Sequence, residues 1–244
     1  LGINYKLISL FTILTIGLKI QHVDAQAIRF TGFAPVITFN LNQGNKWTFQ
    51  QVISNCINPK DYTFGTLDYP AGDIRLQLVT DAAYHFNQHL TFSLGFMYAS
   101  NFPFDTRHTN EYRPYQQLVI KHSMGQWKFR HRLRLNQRLI ENKQTSKVSN
   151  TNMFQYLIGF RHEIFNVNWY ATGYIEPYIT LSGPNKFAFY NEFWGNIGLG
   201  HHINNRWGNL QLCLGYEWLI RNKELDIREM WYPELTWILD LHAK

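Results

Sequence analysis

TNEYRPYQQLVIKHSMGQWKFRHRLRLNQRL, residues Thr109–Leu139, is the stretch that decides the fold. Its second half alternates without a break. Lys128, Arg130, Arg132, Arg134, Asn136 and Arg138 share one parity; Trp127, Phe129, His131, Leu133, Leu135, Gln137 and Leu139 share the other. Successive side chains of a β-strand point to opposite faces of the sheet, so one face is basic and the other mostly apolar. A helix would scatter the arginines around its axis, and Pro114 would interrupt it. Glu111, Arg113, Gln117 and Lys121 carry the polar parity through the first half, and Ser123–Gln126 reads as a turn, so the two halves predict a long hairpin. A soluble sheet buries the apolar face and wets the polar one. A membrane barrel does the reverse, turning apolar side chains to lipid and enclosing the polar ones.

Working outward, the N-terminal 25 residues form a separate segment. Lys6 precedes an apolar run of a dozen residues, Leu7–Leu18, closed by Lys19 and Gln21. A membrane-spanning helix needs about 20 apolar residues; the shorter run suits the core of an export signal, with a cut after Val23-Asp-Ala25. Residues 26–244 are enough for one domain. The chain carries a net charge of +6, and +5 without Lys6, Lys19 and Asp24. Its basic residues alternate along strands instead of coating a patch, which argues against nucleic acid as a partner. Two cysteines, Cys56 and Cys213, do not make a disulfide framework.

Eleven segments read as strands: 33–41, 46–55, 73–84, 89–100, 109–122, 127–139, 152–165, 169–180, 189–203, 210–220 and 230–242. They are 9 to 15 residues long, whereas globular strands average about 5–6 and tilted strands of about 9–11 cross a bilayer. Short connections (42–45, 123–126, 166–168, 204–208) alternate with long ones (56–72, 101–108, 140–151, 181–188, 221–229). That pattern fits periplasmic turns and extracellular loops. The fold class is therefore all-β, an antiparallel up-and-down transmembrane β-barrel of about 10–12 strands with a polar, charged lumen. Eleven is odd, while single-chain bacterial barrels have even counts and both termini on one side. Ten or twelve strands are expected, twelve ahead, with 56–72 as the place for a missing one despite Pro59 and Pro70. The alternative architecture is a soluble lipocalin-like barrel, which would enclose Leu133 and Leu135 and wet Arg132 and Arg134.

Parity assigns the later side chains. Phe154, Tyr156, Ile158, Phe160 and His162 face out, with Arg161 and Glu163 in; Tyr170, Thr172, Tyr174, Glu176 and Tyr178 face in; Glu192, Trp194 and Asn196 face in; Gln211 and Glu217 face in; Leu235, Trp237, Leu239 and Leu241 face out, with Glu234 and Asp240 in. Strand-interior glycines such as Gly95, Gly200 and Gly215 are expected to serve bending and close packing rather than ligand space. Pro35, Pro114, Pro177 and Pro233 are expected at strand ends or bulges.

Glu111, Arg113, Gln116 and Gln117, followed by Arg132, Arg134, Leu135 and Arg138, resemble the paired strand motifs of the DUF2490 family of outer-membrane β-barrels of Bacteroidetes-type bacteria. Glu176, Ile197–Leu199 and Gly215–Tyr216 are similar to later family positions, and the likeness runs from about residue 33 to the end. The resemblance implies a barrel in a Gram-negative outer membrane. It implies no activity, ligand or catalytic residue.

The inward cations Arg113, Lys128, Arg130, Arg132, Arg134, Arg138 and Arg161 need partners, because an isolated buried charge costs several kcal/mol. The acids on inward parity are Asp81, Glu111, Glu163, Glu176, Glu192, Glu217, Glu234 and Asp240. Together they predict a salt-bridged plug or, second, a charged pore or anionic-ligand site; Arg suits either role. Adjacent His201 and His202 face opposite sides, and His131 and His162 face out. Ser93 faces in beside Gly95. No serine motif with a base, no zinc spacing and no phosphate-binding loop is present. The expectation is therefore no enzyme, no metal and no cofactor. A structural or interaction protein stands first, contacting outer-membrane lipid and, through its loops, other envelope proteins. A narrow channel for small polar or anionic solutes is the alternative, and a lipid-modifying enzyme comes third.

Overall fold

A computed structural model describes residues 27–64, 67–69, 71–164, 168–184, 190–204, 206–220 and 227–243. The export segment read in residues 1–25 lies outside them, as do parts of the connections at 181–188 and 221–229. The chain forms β1 (Ala27–Thr31), β2 (Ala34–Gln43), β3 (Trp47–Asn58), β4 (Tyr62–Phe64), β5 (Leu67–Tyr69), β6 (Gly72–His85) and β7 (Leu90–Asn101). These are followed by β8 (Thr109–Met124), β9 (Trp127–Asn142), β10 (Val148–Ile164), β11 (Trp169–Ser182), β12 (Tyr190–Asn204), β13 (Gly208–Ile220) and β14 (Ile227–Ala243). No helix among the described residues is long and apolar enough to cross a membrane, which says nothing of strands.

Around the wall the order is β2-β3-β6-β7-β8-β9-β10-β11-β12-β13-β14, each neighbouring pair antiparallel. β14 closes the barrel on β1 and β2 in parallel, Ala27↔Ile227 through Thr31↔Trp231 and Ala34↔Glu234 through Gln43↔Ala243. β1 and β2 are thus one wall strand interrupted at Gly32 and Phe33. There Gly32 N–H still donates to Trp231 O at 2.9 Å, and Phe33 exchanges hydrogen bonds with Ile57. The wall has eleven strands, the eleven segments read from periodicity, and neither of the even counts expected. The even-count rule assumes an antiparallel seam. A parallel seam closes an odd number, and it places Ala27 and Ala243 at opposite ends of the barrel instead of the same end. Among the described residues the 56–72 connection adds no wall strand; it carries the small β4–β5 hairpin.

Pro35 stands at the start of β2 and Pro177 beside the register shift at Tyr178 and Ile179, as expected of an end and a bulge, whereas Pro114 and Pro233 lie inside strands. Each keeps one neighbour and forfeits the other. Pro114 pairs with Phe96 while the β8–β9 register skips it. Pro177 pairs with Phe193 while the β10–β11 register skips it. Pro233 sits beside Leu214 at the gap between β1 and β2, and Pro35 faces Leu235 before the β2–β3 pairing starts. A residue without an N–H is tolerated where the ladder already has no bond to give. At the short end the turns are tight; Gly44 and Gly125 take φ of 58° and 60°, which a residue with a Cβ rarely adopts.

The apolar parity faces outward. Leu212 is 60% and Ile197 62% exposed, and Leu94, Leu135 and Leu214 are similarly bare. Rings cluster in two belts on this surface. Near the short turns Trp47 meets Tyr84 at 5.0 Å, Trp127 stacks on His162 at 4.3 Å and Trp169 lies 4.5 Å from His201. Near the long loops Tyr98 meets Tyr112 at 5.5 Å and Tyr216 meets Trp231 at 4.5 Å. Ten residues from Tyr112 to His122, at about 3.3 Å each and a tilt of about 40°, separate the belts by about 25 Å. The arrangement is the inverse of the lipocalin-like alternative.

Inside, three glycines each receive a tyrosine ring from the directly paired residue of the next strand: Gly95 from Tyr115, Gly200 from Tyr170 and Gly215 from Tyr232. In each pair a Cβ on the glycine would overlap the ring. The glycines therefore hold packing space that is already filled. Small apolar clusters complete the interior, one of Ala34, Cys56, Ile74, Met230 and Tyr232 and one of Val79, Met97, Ala99 and Tyr115. Both cysteines are free and buried.

Candidate functional site: a charged lumen

Strict alternation on β9 sends five cations to the interior of a barrel whose other strands supply acids at the same parity. At the long-loop end, Glu111 accepts Arg113 on one oxygen and is gripped by the Arg138 fork, Nε to Oε1 at 2.8 Å and Nη2 to Oε2 at 3.0 Å. Arg138 also reaches Glu192 on β12 at 3.2 Å, and Glu192 takes the indole N–H of Trp194 at 2.7 Å. Opposite, Glu217 receives Arg75 at 3.0 Å on one oxygen and Arg228 on the other. The Arg75 guanidinium lies 4.6 Å over the Trp194 ring, which ties the two clusters together. Glu111 and Glu217 are almost wholly enclosed, so charge-assisted bonds on both oxygens are what make them tolerable there.

At mid-height Arg132 crosses to Glu176 on β11 at 2.7 Å. Arg134 has no carboxylate; it donates twice to Gln117 Oε1, at 2.8 and 2.7 Å, and lies 3.9 Å over the Tyr115 ring. Gln117 passes the charge on, donating to Asp81 at 3.1 Å. At the short-turn end Glu163 is shared by Lys128 at 3.1 Å and Arg161 at 3.2 Å, and Arg161 covers the Tyr170 ring at 3.6 Å. Arg130, expected in the network by parity, makes no ion pair or side-chain hydrogen bond among the described residues. It lines the interior cavities, while the Glu163 and Glu176 carboxylates on the flanking tiers are held by other cations.

Two cations and two rings were not singled out from sequence. Arg75 lies on a strand whose parity already placed Asp81 inward, so counting back by twos finds it. Arg228 fell in a stretch read as loop and had no parity to read. The ring platforms of Tyr115 and Trp194 depend on register between strands, which one sequence does not give.

Cavities lie between these tiers. One of about 810 Å³ opens among the short turns and is lined by Lys121, Arg130, Tyr174, Asn196, Gln211 and Glu234 among others. One of about 380 Å³ lies at the long-loop end around Arg138 and Glu217. Outside the wall, in the connection at 102–108, the Arg107 Nε hydrogen bond to Asp105, 2.9 Å, holds that carboxyl well below the usual carboxylate range.

The structure also brings Ser100 Oγ to 2.9 Å from His108 Nε2. The same nitrogen faces the amide oxygen of Asn110 at 3.1 Å. An amide oxygen can only accept, so Nε2 carries the proton and is not the base that a nucleophilic serine requires. His131 is occupied with the Tyr156 hydroxyl at 2.9 Å, and Ser93 is enclosed in the lumen. No group of three potential metal-binding side chains occurs among the described residues.

These features define a closed β-barrel with a charge-packed interior and an apolar exterior. The family described as Protein of unknown function (DUF2490) matches residues 74–228, and the chain belongs to it. That span begins on β6 and ends on β14, so it contains the hairpin of β8 and β9 and, of the charged residues read as inward from sequence, all but Glu234 and Asp240. No curated protein matches the chain. A solved structure of the NanC porin in a rhombohedral crystal form is similar at 12% identity and a TM-score of 0.48, over 81% of this chain and 88% of that one.

The mid-height tier offers a direct comparison. Glu176→Ala leaves Arg132 enclosed without a counter-charge and is expected to cost about 3–5 kcal/mol. Leu133→Val, outside on the same strand, is expected to cost less than about 1 kcal/mol. Heat-modifiable gel migration of the folded protein over a temperature series reads both.

Proposed function

We propose that the protein is a β-barrel of a Gram-negative outer membrane, exported by the segment at 1–25, with a structural or interaction role. Lipid surrounds its wall, and its long loops meet other envelope proteins. It acts without a cofactor, performs no catalysis and binds no nucleic acid. The membrane reading is supported by the bare leucines and isoleucines between two aromatic belts about 25 Å apart, the height of an apolar band matched to a bilayer. Such a surface in water would be an aggregation site.

The single observation that carries the non-conducting role is the set of ion pairs spanning the lumen. Arg132 to Glu176 and Arg138 to Glu192 link β9 with β11 and β12, and Tyr178, Trp194 and Tyr232 fill the space beside them. Each crossing charge satisfies another, so a passing solute would have to break a buried pair. The cavities at the two ends favour the narrow channel as the second reading. Purified protein in a planar bilayer separates the two. The occluded lumen predicts no steady current; a steady, ion-selective current would establish the channel instead.

A further inference from the structure

We propose that the short-turn end of the lumen is a binding site for the oxyanion group, phosphate or carboxylate, of a small polar solute, built on Lys121 and Arg130. The two residues are directly paired across β8 and β9, both on the inward parity. Like charges at directly opposed positions of a sheet repel, and a protein normally relieves this with a carboxylate nearby. This barrel does so elsewhere: Arg75, Arg113, Arg132, Arg138, Arg161 and Arg228 each have an acid, and Arg134 has an amide oxygen and a ring. Among the described residues, Lys121 and Arg130 have no ion pair, no side-chain hydrogen bond and no ring. Both line the open cavity of about 810 Å³, room for a solute of ordinary metabolite size.

The geometry suits an oxyanion. A planar guanidinium grips two oxygens at once, and an ammonium beside it adds a third donor. The acids facing them do not serve as their partners: Asp81 accepts from the Gln117 amide at 3.1 Å and Asp240 from the Asn40 amide at 2.8 Å. Glu234 lies on β14, five strands round the wall, and is held by Asn196 at 3.2 Å and Thr236 at 3.0 Å. With Gln211 it offers acceptors for the far end of a solute whose near end sits on the cations. The wall separates the cavity from the outer surface, so the ligand is soluble and not a lipid headgroup. The site does not depend on whether the lumen conducts.

The test is isothermal titration of inorganic phosphate into the full chain, folded in detergent, with sodium chloride at matched ionic strength as reference. Saturable binding to the parent is expected, weakened about tenfold or more in Arg130→Gln and in Lys121→Gln. Lys143→Gln, in a loop and paired to Glu141, should bind as the parent does. Removing a repelling charge should leave the phosphate-free variants melting at or above the parent temperature. Phosphate heats no different from chloride, equal binding by Arg130→Gln, or a lower melting temperature of both phosphate-free variants would each overturn the proposal.

Discussion

Glu217→Ala is expected to be the most damaging single substitution in the barrel, unfolding it well below the parent melting temperature. Glu217 is 1% exposed and holds two arginines, one on each oxygen. Breaking one buried pair typically costs about 3–5 kcal/mol, because the surviving charge is left enclosed without a counter-charge. Here two guanidiniums, Arg75 and Arg228, would face each other across the gap. The cost should reach or exceed the upper end of that range, and Arg75 would lose its hold over Trp194 as well. Glu163→Ala is the contrast: Glu163 is 26% exposed and its cations lie near the open end, so water replaces the lost partner and the cost should stay near about 1 kcal/mol. Heat-modifiable migration of the three proteins ranks them. Equal melting of Glu217→Ala and Glu163→Ala would mean that enclosure does not set the cost.

The second large effect is expected at Gly95. Valine there would drive its side chain into the Tyr115 ring, which lies over the glycine from the paired position on β8. Overpacking alone costs about 1–3 kcal/mol. Displacing Tyr115 also removes the surface on which Arg134 rests at 3.9 Å, a contact worth about 0.5–2 kcal/mol. Together these predict a loss of about 1.5–5 kcal/mol. A mutant cycle isolates the cause. Gly95→Ala should be costly in the parent and nearly neutral beside Tyr115→Ala, since contacting residues couple. The same cost in both backgrounds would show that the ring is not what excludes a side chain.

Much of this molecule could be read along single strands. Period two on β9 put Lys128 through Arg138 inside and Leu133 and Leu135 outside, and the same parity oriented Glu163, Glu176, Glu192 and Glu217 correctly toward the lumen. What sequence could not supply is which strands lie beside each other at which height. The register decides that Arg138 meets Glu192 while Arg130 has no ion pair among the described residues. The closing seam was equally hidden: nothing local in 33–41 or 230–242 distinguishes a strand about to pair in parallel, and the expectation of an even count overrode a correct count of eleven. Gly95, Gly200 and Gly215 look alike as isolated glycines; only the neighbouring strand reveals the tyrosine each accommodates. Pro114 and Pro233 misled for a related reason, since whether a missing N–H matters depends on a partner that lies far away in sequence.

The account rests on which face meets lipid, and nitroxide accessibility measures that directly. Single cysteines replacing Ile197, Leu212 and Gln50, in a background lacking Cys56 and Cys213, would be spin-labelled and reconstituted into liposomes. The account predicts that labels at 197 and 212 collide with oxygen and are shielded from a water-soluble nickel complex, while the label at 50, in the lumen, shows the opposite. Nickel access at 197 and 212 together with oxygen access at 50 would contradict the inside-out arrangement of the barrel.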